Sequence, residues 1–449
     1  GGAGVRPHKN SINNYCYPEN PEAGIDLFLE KLVQETEKEH EDIREQADET
    51  DAMFGELYSW YLRNPEYRSR VQKLVQSAFA GKPEDIISQS VAKALYGEVS
   101  PYSATRLERF AACAFAHFLQ YGMKLTERVE YEFKPMDMGN VMHEALESFA
   151  EEVRKRGMKW TELTEQERNE IADRCLDNIV ADYGNTVLKS SARNEYMIER
   201  TRRILRRTVW ALQKQLEQGE FQPEGFEVTF GGGRIDRVDI MEDQNKVYVK
   251  VIDYKTGNTS FDLVYLYHGL QLQLMIYLDG ALRVEQKKYP DKEIIPAGVF
   301  YYNIKDPMIQ EKIDADVEAV SAGLMKELKM NGLVQADPEL VYRMDSSLGS
   351  IPVAFNKDGS FRKNSSVADR TQFAVLGRYV RTKIEKIRSS ILEGDAEVSP
   401  YELGKKNACT YCPYMTVCGF DRRLSGYEFR RLKNFSDEEL WKAFDREAE

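Results

Sequence analysis

The chain has 449 residues, enough for two or three domains with well-buried cores. Hydrophobic residues make up 42% of it and charged residues 30%, and no apolar run reaches the roughly 18 residues of a membrane-spanning helix, so we expect a globular protein with no membrane partner. The formal net charge of -12 excludes a protein that coats nucleic acid through its overall field, because phosphate binding depends on lysine and arginine.

The first part of the chain is polar, acidic and helical in pattern. It begins GGAGVRPHKN without an initiator methionine or a secretory leader, so we expect a piece of a longer polypeptide located in the cytoplasm. Apolar residues between 22 and 95 recur at helical intervals, as Ile25, Phe28 and Leu32 do, which predicts amphipathic helices. Residues 1–96 are therefore predicted to form a helical leader or the tail of a preceding domain.

A boundary and a series of helices follow. Glycine, proline and serine in YGEVSPYSA mark the boundary. Ser103 then predicts an N-cap, and ATRLERFAACAFAHFLQYG predicts one helix that ends at Gly122. A second helix is predicted from about 139 to 156, and more helix over 162–218.

The pattern changes to strands after residue 218. FEVTF at 226–230 predicts a strand, and GRIDRVDIMEDQNKVYVKVIDYKTG predicts two more, joined by the turn EDQN. A helix, LYHGLQLQLMIYLDGAL, and a strand, AGVFYYNI at 297–304, come next. Segments near 310–332 and 366–393 are predicted to be helical. The order is helix, three strands, helix, strand.

The strand that ends in VKVIDYKTG sets an acid and a base on one face. Side chains alternate along a strand, so Asp253 and Lys255 point the same way as the apolar Val251. An acid and a base therefore occupy a face on which apolar residues should continue. This arrangement indicates either a structural ion pair at a strand end or the start of an active site.

The preceding strand supplies a second acid. Asp236 shares its face with Val238 and Ile240, and pairing across the EDQN turn would bring Asp236 beside Asp253. Two neighbouring carboxylates repel each other unless a proton or a cation lies between them. Mg2+ prefers oxygen ligands and commonly takes only one or two protein carboxylates. The pair therefore predicts a site for Mg2+, or for Mn2+, which favours the same ligands.

Other residues could complete such a site. Lys255 beside the metal would stabilise the charge that grows on a phosphoryl group, and His143 in GNVMHEALE could offer a neutral imidazole as a ligand. Gln273 and Tyr277 are four residues apart on one helix face and could orient Lys255 or a phosphate. Each residue alone is better explained by packing, surface exposure or an ion pair. Their order along the chain is the stronger signal.

That order resembles the PD-(D/E)xK nuclease superfamily, in particular its RecB-like branch. The resemblance implies an α/β fold with a restriction-endonuclease-like core, a mixed central sheet flanked by many helices, and Mg2+-dependent hydrolysis of phosphodiester bonds in DNA. It also implies metal ligands at His143, Asp236, Asp253 and the backbone carbonyl of Tyr254, a catalytic Lys255, and supporting roles for Gln273 and Tyr277. Ile235 replaces the family's nominal proline, a departure common in the RecB-like branch.

Three cysteines are crowded in the stretch ACTYCPYMTVC. They are Cys409, Cys412 and Cys418. Three thiolates are too few for a closed four-ligand site, so a fourth ligand must come from elsewhere. Cys113 in RFAACAFAHF is the best candidate, and Cys16 and Cys175 are alternatives, although Cys175 is more simply a small core residue. Four thiolates suit either zinc or a 4Fe-4S cluster.

One cysteine before the predicted nuclease core and three after it resemble the iron-sulfur nucleases. In these nucleases a cluster links the two ends of the domain, which favours 4Fe-4S over zinc. The link would close a loop of roughly 300 residues, which chain entropy makes worth about 5 kcal/mol. The resemblance therefore implies a structural rather than a redox role for the cluster.

Two iron-sulfur families share this layout: the Cas4-like nucleases and the B subunit of the AddAB helicase-nucleases. The chain length, its expected origin in a longer polypeptide, and the stretches YSATRLERFAACAFAHFLQYGMKL and MGNVMHEALESF favour the second. This resemblance implies the end of a helicase-like domain at 1–96, an exonuclease domain at 97–425 and a C-terminal helical tail at 426–449. It also implies resection of DNA double-strand breaks with an AddA-like partner subunit.

The same residues are also compatible with other functions. The chain could be a Cas4-like nuclease that acts alone, or a non-catalytic scaffold that binds DNA and docks AddA, although the intact nuclease positions argue against a scaffold. A cluster of arginines on one predicted helix is also open to two interpretations, phosphate contact or an ion-paired surface. These arginines are Arg202, Arg203, Arg206 and Arg207.

Overall fold

The computed structural model describes residues 21–37, 49–78, 86–97, 103–126, 135–182, 192–231, 233–308, 317–424 and 426–448. These residues form two compact units. One unit takes the described residues up to Ile86 together with 397–402 and 406–431, and the other takes 87–396, 403–405 and 432–448. The second unit contains every residue that we predicted to bind a catalytic metal.

The first unit begins with three helices, as the apolar spacing predicts. They are α1 Pro21–Glu37, α2 Glu49–Arg63 and α3 Pro65–Ala78. Ile25 and Phe28 of α1 pack with Leu57 and Tyr61 of α2 in a small core of their own. A further helix of the predicted leader, α4 Gln89–Tyr96, belongs to the second unit. The predicted domain boundaries at 96 and 425 stay a prediction.

The helix predicted to end at Gly122 is interrupted. Ser103 caps α5 Ala104–Ala112 by accepting a hydrogen bond from the N–H of Arg106. The backbone is extended at Cys113, and the chain continues as α6 Ala114–His117 and a π-helix, Phe118–Gly122. The prediction of one continuous helix was wrong, because a residue in an extended conformation cannot continue the helical hydrogen-bond ladder.

Three long helices cover one face of the central sheet. They are α7 Pro135–Lys155, α8 Glu165–Asp182 and α9 Ala192–Glu217. Phe149 of α7, Leu176 of α8 and Leu212 of α9 lie fully buried in the core that these helices form with the sheet. Helices were predicted over 139–156 and within 162–218, and both predictions are confirmed.

A six-stranded sheet forms the centre of the second unit. Its strands are adjacent in chain order: β1 Gln222–Phe230, β2 Gly233–Asp243, β3 Lys246–Lys255, β4 Glu293–Asn303, β5 Asn331–Gln335 and β6 Val367–Ala368. β3 pairs with β4 and β5 pairs with β6 in parallel, whereas the other neighbours are antiparallel. This mixed sheet between helical layers confirms the predicted α/β fold class.

The helix predicted after β3 is also split. α10 Leu263–Tyr267 ends before Gly269, whose φ of 77° takes the chain out of the helical conformation, and α11 Gln273–Lys288 follows. Only glycine adopts this left-handed backbone without cost, so Gly269 is the physical reason for the break. α11 packs against β3 and β4 on the face of the sheet opposite to α7.

The remaining elements of the second unit alternate between helix and strand. They are α12 Val317–Glu327, α13 Pro338–Met344, α14 Arg370–Glu393 and α16 Asp437–Ala448, with β5 and β6 between them. The helix predicted near 310–332 was wrong at its end, because Gly332 lets β5 lie so close to β4 that a Cβ would meet the carbonyl of Val299. Residues 310–316 lie outside the described residues.

The C-terminal part of the first unit is a small three-stranded sheet with a short helix. Its elements are β7 Tyr401–Leu403, β8 Lys406–Asn407, α15 Met415–Cys418 and β9 Arg430–Arg431.

In the second unit, Leu440 and Phe444 of α16 are buried against α14. Across the described helices, none combines the length and the apolar character needed to cross a membrane.

Candidate active site

The β2–β3 hairpin sets two acids opposite each other. The last pair of the antiparallel ladder is Arg237 with Ile252, so Asp236 and Asp253 are the next residues to face one another. The backbone N–H of Tyr254 donates a hydrogen bond to Oδ2 of Asp236 over 2.7 Å. Both acids alternate with apolar residues that pack against α11. The hairpin therefore holds two carboxylates at the end of one sheet face.

Strand β1 adds a third acid that the sequence analysis missed. The register of β1 and β2 sets Glu227 opposite Asp236. Glu227 has a φ of 50°, a left-handed conformation that is uncommon for a residue with a side chain and is often found at functional sites. Its carboxylate forms an ion pair with Arg234. The register of a hairpin across GGG at 231–233 is the signal that could have identified Glu227.

Helix α7 brings His143 to these acids. Its Nδ1 lies 3.3 Å from Oδ2 of Asp236 and 3.9 Å from Oε1 of Glu227. One ligand atom from each of the three residues lies within 4.8 Å of the other two. Ligand atoms on opposite sides of Mg2+ are about 4 Å apart, because the metal–oxygen distance is about 2.0–2.1 Å. The cluster therefore fits a small divalent cation after a slight contraction.

The protonation of the cluster reflects its excess of negative charge. Burial lowers the pKa of His143, but hydrogen bonds with Asp236 and Glu227 outweigh this effect and raise the pKa to about 10. Burial, followed by repulsion from Asp236, raises the pKa of Asp253 to about 7. Both groups hold protons in place of a missing positive charge. This is the electrostatic signature of a site that suits a cation.

Lys255 is held by a chain of polar contacts. Its Nζ lies 2.5 Å from Oδ2 of Asp253 and donates a hydrogen bond to Oε1 of Gln273 over 2.8 Å. Gln273 in turn donates from Nε2 to the hydroxyl of Tyr277 over 2.9 Å. The ammonium also lies 5.5 Å from the centre of the Tyr301 ring. Gln273 and Tyr277 therefore share one helix face and reach Lys255.

A half-buried acid on α5 supports this series of contacts and carried no signal in the sequence. Oε1 of Glu108 accepts hydrogen bonds from the backbone N–H groups of Leu272 and Gln273, over 2.7 and 3.0 Å. Burial raises the pKa of Glu108 to about 7, against the effect of these two bonds. Glu108 thus fixes the start of α11, where Gln273 must stand to reach Lys255.

The sequence pattern of the PD-(D/E)XK nuclease superfamily matches residues 101–419. The chain belongs to this superfamily. The match covers all the strands of the central sheet and every acid of the cluster described above. The three acids and the lysine at the sheet edge are therefore the candidate nuclease site of a PD-(D/E)XK fold.

Three curated relatives of this chain share one name, the B subunit of an ATP-dependent helicase/deoxyribonuclease. The chain is 41% identical over 431 residues to that of Lachnoclostridium phytofermentans, a match that covers 91% of this chain and 37% of the relative. The protein of the same name from Thermoanaerobacter sp. is 34% identical over 425 residues, covering 89% and 37%. That of Alkaliphilus metalliredigens is 33% identical over 446 residues, covering 93% and 38%. The chain spans less than two fifths of their length.

The opposite face of the β2–β3 hairpin carries a closed ionic cluster. Arg237 binds both oxygens of Asp239, over 2.6 and 2.9 Å, and Lys250 lies 3.0 Å from the same carboxylate. All three side chains are buried, and the Arg237 guanidinium lies 5.6 and 5.7 Å from the centres of the stacked rings of Trp160 and Phe226. This cluster holds β2 to β3 beneath the candidate site.

The cysteines of the predicted cluster lie in both units. Cys113 is buried at the break between α5 and α6 in the second unit. In the first unit, the side chain of Asn407 accepts the N–H of Cys409, and Sγ of Cys418 accepts the N–H of Phe420. Cys412 stands between them on the same loop and is half-buried. The four-cysteine cluster stays a prediction.

The two alternative cysteines differ in what the structure describes. Cys175 on α8 is buried in the core of α7, α8 and α9, and burial raises the pKa of its thiol. A raised pKa disfavours the thiolate that binds metals, which agrees with its interpretation as a small core residue. Cys16 lies outside the described residues.

Proposed function

We propose that this chain is the nuclease region of a helicase-nuclease subunit and hydrolyses phosphodiester bonds in DNA with Mg2+ or Mn2+. The observation that carries the proposal is the convergence of His143, Glu227 and Asp236 beside the Asp253–Lys255 pair. The relatives are named as parts of a helicase/deoxyribonuclease, which supports DNA as the substrate.

The donor set defines how a cation would be held. Asp236, Asp253 and Glu227 offer hard carboxylate oxygens, His143 offers an imidazole nitrogen, and the backbone carbonyl of Tyr254 is the further predicted ligand. When bound, the cation would polarise the scissile phosphate and lower the pKa of an attacking water. The ordinary preference of Mg2+ for oxygen ligands agrees with a site in which oxygen donors outnumber nitrogen.

The protein groups around the donors have separable tasks. Lys255 presents a positive charge beside Asp253, where it can stabilise the charge that develops on the transferred phosphoryl group. Gln273 orients the lysine, and Tyr277 orients the Gln273 amide. His143 and Asp253, which hold protons in the cation-free site, would release them on loading.

The wider assignment extends the same proposal. We infer that residues 97–425 act as the nuclease domain, that residues 1–96 end a helicase-like portion, and that residues 426–449 form a tail. Cys113, Cys409, Cys412 and Cys418 would bind a structural 4Fe-4S cluster, with zinc as the alternative. An AddA-like subunit would be the partner in resecting double-strand breaks in the cytoplasm. The colour and the iron and zinc content of anaerobically purified protein distinguish the two metals.

Nuclease assays test the central claim. The parent chain and Asp253→Ala are incubated with end-labelled single-stranded and duplex DNA in MgCl2, in MnCl2 and in EDTA. We expect metal-dependent cleavage by the parent and loss of cleavage by the variant, because Asp253 both faces Asp236 and pairs with Lys255. Equal cleavage by the two proteins would reject the assignment.

The same assays separate the alternatives. A non-catalytic scaffold predicts DNA binding without metal-dependent cleavage by the parent chain. A Cas4-like nuclease predicts full activity without a helicase partner. The relatives favour the helicase-nuclease assignment, because they are named as subunits and match nine tenths of this chain.

A further inference from the structure

Helix α9 separates its arginines onto two faces. Arg206 binds the carboxylate of Asp173 on α8 in a bidentate pair, and Arg202 donates to Asp177 over 2.7 Å. These contacts hold α9 to α8, so the ion-paired interpretation applies to Arg202 and Arg206. The remaining arginines of the cluster face elsewhere and need a separate explanation.

The other face of α9 is a stripe of arginine and aromatic residues. It runs Tyr196, Arg200, Arg203, Arg207, Trp210, with steps of four, three, four and three residues that keep the side chains on one line of a helix. Tyr196 is 65% exposed, and the Arg207 guanidinium lies 5.3 Å from the Trp210 ring. Among the described residues, neither Arg200 nor Arg207 has an ion-pair partner. A phosphate would therefore displace no carboxylate from either arginine, although Arg207 rests on the Trp210 ring.

This stripe lines a cleft of about 670 Å³ between α9, α12 and the start of α8. Val320 and Leu324 of α12 form an apolar part of its wall. Arg168 also lines it and is only 6% exposed, yet its Nε has no hydrogen-bond partner, and its Nη1 donates to the neutral amide of Gln213. No carboxylate in the described part of the chain pairs with Arg168. Glu165 and Glu217 act on this guanidinium only at a distance, and a buried guanidinium without an ion pair favours an anionic ligand.

The cleft is connected to the candidate nuclease site through one loop. Arg203 forms an ion pair with Asp306 over 2.6 Å. Asp306 lies three residues after the end of β4, and the N–H of Ile304 donates to the carbonyl of Lys255 over 2.7 Å. Two residues of extended chain span about 7 Å at most. A strand bound along the stripe would therefore pass close to the edge of the sheet where Lys255 ends β3.

We propose that this cleft binds single-stranded DNA, which rests on the proposed nuclease function. Arg168, Arg200 and Arg207 supply cations for phosphates, and Tyr196 and Trp210 supply rings on which unpaired bases stack. Six arginines and two glutamates line the cleft in a chain whose net charge is -12. Base stacking on side chains requires unpaired bases, so the cleft prefers a single strand to a duplex.

Binding without catalysis tests this proposal. Fluorescence anisotropy of a labelled oligonucleotide is measured in EDTA for the parent, for the double variant Arg200→Glu/Arg207→Glu, and for Arg378→Glu, a control at an exposed arginine of α14. We expect about tenfold or weaker affinity for the double variant, a salt slope lower by roughly 1–2, and no change for the control. A double variant that binds within about twofold of the parent overturns the proposal.

Two further readouts identify the ligand and the contact. Trp210 fluorescence should be quenched by the single strand, and Trp210→Phe should remove that quenching while thermal melting stays at the parental temperature. Tighter binding of a duplex of the same length would overturn the single-strand assignment. Because no step depends on cleavage, a parent chain that binds but does not cut DNA would reject the nuclease function and leave the cleft standing.

Discussion

Both faces of the β2–β3 hairpin carry charged residues, but the balance of acids and bases differs between the two faces. On the face towards α7, Arg237, Asp239 and Lys250 form a buried cluster in which each charge has a partner. On the face towards α11, Asp236 and Asp253 oppose each other as two carboxylates. The residues alternate along the same two strands, so the faces differ in partners and not in backbone.

Protonation shows what this difference means. Burial acts against ionisation of Asp239, but Arg237 and Lys250 overcome it and lower the pKa of the carboxyl. Burial and the charge of Asp236 raise the pKa of Asp253 to about 7. The first face sets two cations around one carboxylate, whereas the second opposes two carboxylates beside one lysine, Lys255. A buried charged residue is therefore evidence for function only where its neighbours leave the charge uncompensated.

The largest expected effect comes from Asp236→Asn. This substitution keeps the shape of the side chain but removes a carboxylate that contacts His143 and the N–H of Tyr254. We expect metal-dependent DNA cleavage to fall by about a hundredfold or more, because a lost metal ligand costs several kcal/mol of transition-state stabilisation. Full activity in this variant would remove Asp236 from the site.

Asp239→Asn, three residues away on the other face, should act on stability instead. The change leaves Arg237 and Lys250 buried with no anion, which costs about 3–5 kcal/mol in the free energy of unfolding. Urea denaturation measures the loss, which should be the same in EDTA and in MgCl2 because the cluster binds no cation. Cleavage per folded molecule should stay near the parental value. An effect of Mg2+ on the loss would contradict the separation of the faces.

Only part of this difference between the two faces could be predicted from the sequence. Strand alternation predicted that Asp253 and Lys255 share a face, and the short EDQN turn predicted Asp236 opposite Asp253, because both follow from local geometry. Glu227 was missed, since its place depends on the register of β1 and on a left-handed backbone. Glu108 was missed because its contact lies more than 160 residues away along the chain. Local rules do not encode such distant contacts.

The same limit explains the errors in the helices. The pattern around Cys113 is amphipathic throughout, so periodicity predicted a continuous helix where the chain becomes extended for one residue. Gly269 is tolerated inside many helices, so periodicity alone did not show that it takes a left-handed conformation here. In both places tertiary contacts override local propensity.

A smaller effect is expected from Glu108→Gln, which tests how the contacts around Lys255 on the face towards α11 are held in place. The amide keeps an oxygen acceptor but loses the charge that binds the two N–H groups at the start of α11. We expect about 1 kcal/mol of lost stability and about a tenfold slower cleavage, because Gln273 would shift relative to Lys255. Glu285→Gln, a buried acid near the other end of α11, is the control. Equal effects on cleavage would show that Glu108 acts only through general helix stability.

The smallest effect is a dependence of the free energy of unfolding on pH, which we expect only from the groups of the candidate active site. The pKa of His143 is about 10 in the folded protein and near 6.5 when unfolded, so the folded state holds the extra proton between these values. The stability from this group is complete below pH 6.5 and is lost as the pH rises through 10. In EDTA, this group should therefore lower the free energy of unfolding by about 1 kcal/mol between pH 7 and pH 8, and the carboxyls of Asp253 and Glu108, whose pKa values are about 7, add a smaller part.

His143→Gln identifies the source of this slope. The amide cannot titrate, so the variant should lose most of the decline in the free energy of unfolding between pH 7 and pH 8. Asp239 should not contribute to this decline, because its lowered pKa places its titration at acid pH. Mg2+ competes with the His143 proton, so its stabilising effect in thermal melts should grow with pH. A parental slope in His143→Gln would mean that the cation-free site does not hold its missing charge as a proton on the imidazole.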